Sequence, residues 1–311
     1  MSTDTQRIRT AIITSPLLGP VVRWGWRQYV TAIAINAPND CAEIPKVPDA
    51  GRCVVDPVES YQVMHNGVRV KLGGYYGDLN TVIIEKLRGH HEPQEEKVFY
   101  KVLGELPETA VMIEAGSYWG YYSLWFKKER PAGSVFLIEP LEERMEIGKS
   151  NFKMNNVKGK FLRAYVGATS EPAHDVRMEG TTVQGIERIS IDDFMDRYGL
   201  ARIDLLHADV QGAEFDLLKG AERALSGGKI SYIFISTHGT QVHHDCIERL
   251  AKHHFRIVAS HTRGESFTTD GLIVAKHEAV PGIAEVSISR KRSGMLADIR
   301  MVTRYLLSGR S

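Results

Sequence analysis

The 311-residue chain has only three cysteines, Cys41, Cys53 and Cys246, which are scattered and form no CxxC pair. That scarcity suits a reducing compartment and argues against a disulfide scaffold or a zinc finger. Charge of one sign is also missing, since 39 Lys and Arg stand against 38 Asp and Glu. No overall field exists to hold a polyanion, and no nucleic acid is expected as partner. An uninterrupted run of about 18 apolar residues is absent, so no transmembrane segment is expected. The nearest approach, residues 11–36, is broken by Pro16, Pro20, Arg23 and Arg27 and lacks the clean apolar stretch of a secretory signal. It reads as a helix covering part of the globule, with a peripheral membrane contact as the alternative. These absences together give a cytoplasmic expectation. Internal repeats and low-complexity tracts are lacking too. What is present, 43% hydrophobic and 25% charged residues, is ordinary for a globular protein near the upper length of one α/β domain.

Residues 36–60 are punctuated by Pro and Gly and read as a connection. Residues 61–85 alternate as a β-hairpin turning at Asn66-Gly67. Pro93 then opens a helix with Val98, Phe99, Val102 and Leu103 on one face. From Ala110 short apolar runs alternate with amphipathic stretches: VMIEAG (111–116), SVFLIEP (134–140), KFLRAYVGA (160–168), IDLLHADV (203–210), ISYIFIST (230–237), FRIVASH (255–261) and GLIVAKH (271–277). Runs too apolar to alternate, separated by helices, predict a doubly wound, mostly parallel sheet covered on both faces. The last two runs are joined by nine residues without a helix, which predicts an antiparallel last strand. The ligand of such a sheet sits at the carboxyl ends of its strands. The expected organisation is an N-terminal extension (1–84), a nucleoside-binding α/β domain (85–277) and a helical C-terminal tail (278–311).

IEAGSYWGYYSL (113–124) places Glu114 at a strand end, then Gly116, Ser117, Tyr118 and Gly120, then a helix. Glycines serve where the backbone turns sharply and meets a ligand closely. The loop is GxxxG rather than GxGxxG, and a pyrophosphate would avoid Glu114, whereas an ammonium or sulfonium would be drawn to it. The next strand ends at Glu139, where a carboxylate can accept both ribose hydroxyls of a nucleoside. Acid, glycine loop and second acid point to S-adenosylmethionine. Of the aromatic residues Tyr118, Trp119, Tyr121 and Tyr122, at most one is assigned to a sulfonium and the others to packing.

This loop resembles the first motif of the FkbM family of S-adenosylmethionine-dependent methyltransferases. FLIEP (136–140), SIDDF (190–194), IDLLHADVQGAEFDLLKGA (203–221) and, upstream, HEPQEEKVF (91–99) are similar to further motifs of that family, in the same order. The resemblance covers about residues 85–277 and departs from the family at His207, where Lys is usual, and at Gln211, where an acid is usual. It implies a class I, Rossmann-like fold and O-methylation of a hydroxyl on a sugar, glycan or secondary metabolite. An N- or nucleic-acid methyltransferase and a non-catalytic nucleoside-binding protein remain as alternatives, the latter favoured by Gln211.

Methyl transfer needs an aligned acceptor and, for a hydroxyl, a base. The ends of the fourth and fifth strands carry Asp209 and His238, expected as the catalytic pair, with Asp209 also at the cofactor. A divalent metal held by Asp209 and His238 is the second version. The metal-free one is preferred because no second clear carboxylate accompanies Asp209. His90-His91 and His253-His254 read as surface pairs, and His243-His244 as the exposed start of a helix.

Overall fold

The computed structural model describes residues 18–178, 180–292, 299 and 301–303. Helix α1 (Leu18–Ile35) leads, through an irregular stretch, into a small antiparallel sheet of β1 (Cys53–Val54), β2 (Tyr61–Val63) and β3 (Arg69–Lys71). The expected hairpin is β2–β3, with Val63 opposite Arg69. Its turn is held by the Val68 N–H donating to the Asn66 side chain, with Gly67 at positive φ. Helix α2 (Asp78–Lys86) then crosses the expected boundary at residue 84, and α3 (Pro93–Glu105) begins at the expected proline.

The α/β body follows as β4 (Val111–Ala115), α4 (Tyr121–Glu129), β5 (Ser134–Ile138), α5 (Glu142–Met154) and β6 (Lys160–Leu162). Next come β7 (Ala164–Val166), β8 (Glu171–Met178), β9 (Thr181–Ile189), α6 (Ile191–Tyr198) and β10 (Ile203–Ala208). The remaining elements are α7 (Glu214–Lys219), α8 (Glu222–Ser226), β11 (Ile230–Thr237), α9 (Thr240–Lys252), β12 (Phe255–His261) and β13 (Gly271–His277). The central sheet has the order β12-β13-β11-β10-β4-β5-β6. Strands β11, β10, β4, β5 and β6 run parallel, and β13 runs antiparallel to both its neighbours. That is the doubly wound, mostly parallel sheet with an antiparallel last strand expected from the apolar runs.

Alternation along each strand divides the core in two. Met112, Leu137, Leu205, Phe234 and Val274 pack on one face under α3, α4 and α5, with Phe99, Leu103, Trp125 and Phe152. Ile113, Ile138, Leu206, Ile235 and Ile273 face the other way, onto Phe194, Leu217, Leu225, Cys246 and Leu250 of α6 to α9.

Three expectations need correction. The run 160–168 is two strands: β6 stays in the central sheet, while β7 leaves it to pair with β9 in a separate sheet of order β7-β9-β8. The β8–β9 hairpin has no signature in the apolar pattern, because most of β8 is polar and exposed and offers no apolar face. The amphipathic stretch AEFDLLKGAERAL (213–225), which predicts one helix, forms two, broken at Gly220, where a Cβ would lie 2.1 Å from the Gly167 carbonyl oxygen. In the expected helical tail, residues 278–292 form turns and irregular chain; Ile299 and Met301–Thr303 are helical, and the rest lies outside the described residues.

Asp192 of the SIDDF motif ties α6 to α8, since its carboxylate accepts the Arg223 and Ala224 N–H groups at 2.8 and 2.9 Å. Asp192→Ala leaves both donors without their partner. It is expected to cost about 1–3 kcal/mol, read as a lower midpoint in urea or thermal unfolding with the m-value unchanged.

Candidate active site

The turn after β4 is shaped by a close crossing of two chains. The Asp209 N–H donates to the Ala115 carbonyl at 2.9 Å, and a Cβ on Gly116 would sit 1.8 Å from the Asp209 carbonyl oxygen. Gly116, at φ 73°, is therefore required by protein packing before any ligand is considered. The loop continues with Gly116 and Ser117 N–H groups donating to the Ile138 carbonyl, then Gly120 at φ 68° opening α4.

A cavity of about 340 Å³ opens at these strand ends. Its walls include Gly116 and Tyr118, Ile138 to Leu141, Ala164 to Val166 and Asp209 to Gln211, with Val176 to Met178 of the β8–β9 hairpin closing one side. Glu139, 2% exposed, is fixed on this wall: its Oε2 accepts the Tyr118 N–H at 2.9 Å and its Oε1 the Leu141 N–H at 3.0 Å. Of the expected cofactor residues, Gly116, Tyr118, Glu139 and Asp209 line the cavity. Glu114, Ser117 and Gly120 are not among its lining residues. Glu114 accepts the Ser123 N–H at 3.1 Å and stands opposite His207 in the β4–β10 register. Ser117 is buried, and its Oγ has no hydrogen-bond partner among the described residues. Gly120 spares a clash with Leu137 and Phe152. Among the loop aromatics, Trp119, Tyr121 and Tyr122 are buried in the core, Trp119 stacking on Tyr75 at 4.3 Å.

Asp209 and His238 do come together, with His238 Nε2 at 3.4 Å from Asp209 Oδ1. They have company that the sequence did not announce. His238 Nδ1 lies 2.6 Å from Glu214 Oε1, and its Nε2 is also 3.4 Å from Asp270 Oδ1. The expectation that no second carboxylate accompanies Asp209 is thus overturned. Asp270 arrives on the nine-residue link between β12 and β13, and Glu214 is the acid closing the DVQGAE block. Burial pulls the His238 pKa down, but the Glu214 hydrogen bond and the Asp209 and Asp270 carboxylates outweigh it and bring it to about 8. Burial raises the Asp209 carboxyl to about 7; His238 opposes this, while Glu92, Asp270 and Glu95 add to it. Gln211 donates to Asp209 Oδ1 at 3.1 Å. A carboxylate at position 211 would instead crowd a group already surrounded by like charge.

Behind this cluster the HEPQEE segment is buried, which corrects the surface reading of His90 and His91. They are 1% and 4% exposed. Both imidazoles bond the fully buried Glu96 carboxylate, which also accepts the His91 and Glu92 N–H groups. His91 Nε2 then reaches Glu92 at 3.2 Å, and Tyr122 donates its hydroxyl to the same carboxylate at 3.1 Å. Burial opposes the protonated form of His91, yet Glu92 and Glu96 raise it to about 10. His207 pairs with Glu95 at 2.6 Å, both buried. His243 is also buried, between Thr237 and Ser260, whereas His244 and His254 are exposed. Among the described residues Cys41, His90 and Glu96 place three ligand-type atoms within 4.8 Å, with the Cys41 thiol on the Pro93 carbonyl.

Residues 108–257 match the Methyltransferase FkbM domain. The chain is 23% identical over 164 residues to Methyltransferase sdnD of Sordaria araneosa, covering 39% of this chain and 63% of that protein. It is 23% identical over 149 residues to Methyltransferase 1 of Beauveria bassiana (strain ARSEF 2860), covering 37% and 60%. The chain thus spans about three fifths of the curated relatives it matches. Among solved structures, precorrin-6Y C5,15-methyltransferase of Geobacter metallireducens GS-15 aligns at 15% identity and a TM-score of 0.40, over 58% of this chain and 88% of that one. TrmK of M. capricolum, solved with S-adenosyl-homocysteine, aligns at 11% identity and a TM-score of 0.38, over 58% and 68%.

His238 thus sits among three carboxylates that favour its charged form. Asp270→Asn removes one that favours imidazolium, so the His238 titration followed by NMR is expected to move from about 8 towards lower pH. A midpoint that does not move would show that Asp270 does not face the ring in solution.

Proposed function

We propose that this protein transfers a methyl group from S-adenosylmethionine to a hydroxyl on a sugar, glycan or secondary metabolite, with His238 as the base and no metal. The observation that carries this reading is the continuity of the cavity: it runs from Glu139 to Asp209, and Asp209 touches His238. The residues suit the nucleoside. Glu139 presents a carboxylate already oriented by two backbone donors, and accepting two ribose hydroxyls needs that orientation. Ile138, Leu141, Ala164 and Val166 offer apolar surface for a base beside it. The sulfonium, when bound, supplies an electrophilic methyl group to an in-line displacement.

The chain's own part is to orient and to move one proton. Glu214 accepts from His238 Nδ1–H, which leaves Nε2 as the nitrogen that takes the hydroxyl proton. Asp209 and Asp270, on either side of that nitrogen, stabilise the imidazolium formed. A second arrangement has Asp209 and His238 hold a divalent ion that lowers the hydroxyl's pKa.

Glu139→Ala is expected to lose charge-assisted bonds of about 1.5–3 kcal/mol, a tenfold to hundredfold drop in S-adenosylhomocysteine affinity by calorimetry. Unchanged affinity would remove the nucleoside from this wall. For the base, His238→Ala should lower turnover by about a hundredfold or more with little change in cofactor affinity. Because the base works unprotonated and its pKa is raised, log kcat/KM should climb with unit slope and level off above about pH 8. EDTA without effect supports the metal-free form; loss of activity restored by Mg²⁺ or Mn²⁺ supports the second.

A further inference from the structure

Helix α1 enters the body at only one end. Its last turns are packed, with Thr31, Ala32, Ile33 and Ala34 buried, whereas Val22, Trp24 and Trp26 in its first half are 40%, 49% and 56% exposed. Two exposed indoles five and seven residues from a packed segment need a reason, because large apolar side chains are rarely left together in water.

The sequence arranges this half of the helix by chemistry. At about 100° per residue, positions 23 and 27, both Arg, lie on one line, and the arc of Leu18, Val22 and Tyr29 lies roughly opposite. Trp24 and Trp26 fall between them, about 80° to either side of the arginine line. Apolar arc, flanking indoles and a basic stripe are the pattern of a helix lying in the plane of a bilayer surface, indoles at headgroup level. The helix is not a membrane span: among the described residues none is long and apolar enough to cross one.

Charge says what kind of surface it fits. Residues 5–39 contain four arginines and no acid, and residues 290–311 contain six basic residues and one acid. The two stretches carry +9 of a chain whose formal charge is +1, so the remainder carries −8. Their described parts meet in space, since the Lys291 ammonium lies 6.0 Å from the centroid of the Tyr29 ring. A negative body that sets Lys291 against Tyr29, on the helix that carries Arg27 and the exposed indoles, is attracted to an anionic surface by that end. We propose that α1 and the adjoining basic segment at Arg290–Arg292 dock this protein on an anionic lipid bilayer.

The full-length protein, incubated with vesicles of phosphatidylcholine alone or with added phosphatidylserine, tests this by co-sedimentation. Binding is expected on the anionic vesicles, with little on the neutral ones, and it should weaken as salt is raised. Trp119 and Trp125 are buried already, so a blue shift of indole emission on vesicles reports Trp24 and Trp26. Arg23→Gln/Arg27→Gln should weaken partitioning about thirtyfold, and Trp24→Ala/Trp26→Ala should abolish the blue shift while unfolding by urea stays unchanged. Absence of binding to anionic vesicles would overturn the proposal, as would equal binding of wild type and both variants. So would a concentration-dependent dimer in gel filtration that the Trp variant abolishes, which would assign the face to a second copy.

Discussion

The crossing of Gly116 under the Asp209 carbonyl is the constraint from which the rest of the site follows. It brings the carboxyl ends of β4 and β10 into backbone contact through the Asp209 N–H and the Ala115 carbonyl. With those ends joined, the loop after β4 must turn back towards β5, where Gly116 and Ser117 donate to Ile138 and Tyr118 reaches Glu139. The same contact sets Asp209 at the rim, within reach of His238 from β11. One missing side chain thus links the Glu139 wall to the Asp209–His238 cluster, and a change at either reaches the other through two rigid strands.

The parts legible in the sequence are those encoded locally. Apolar runs at strand length gave the central sheet, and the nine-residue link before GLIVAKH gave its antiparallel strand. Glu139 could be placed because it ends the strand next to the glycine loop, a relation of sequence spacing. Asp270 and Glu92 could not, since each reaches the cluster from an element packed against it rather than from a strand end on the same motif. The signal for the buried histidines was present but local in another sense: Pro93 starts a helix, and an acid three residues later can reach back to the chain before it, as Glu96 does to His91 and Glu92. The exposed β8 strand left no periodic trace, because water, not the core, faces most of its side chains.

The carboxylates beside the cavity are held by histidines more than by arginine or lysine. Glu96 binds His90 and His91, Glu92 binds His91, Glu95 binds His207, and Glu214 binds His238. Histidine can give up its charge near neutrality where lysine cannot, and His238, brought to about 8, is the member of this cluster placed to do so. A lysine at position 207 would have given Glu95 a permanent partner; His207 instead lets the pair share a proton between two buried groups, both pushed towards the protonated form.

The β8–β9 hairpin gives the cavity two unequal walls. Glu139 and Asp209 stand on strands locked between neighbours, while Val176 to Met178 stand on a ribbon whose β8 edge pairs with β9 alone. Amide protons in β4 and β10 therefore exchange only when the whole sheet opens, whereas those of β8 are released by local fraying. A molecule filling the cavity touches both walls and restrains the looser one. Occupancy is thereby written into the exchange rates of a surface ribbon, well before it registers in the core.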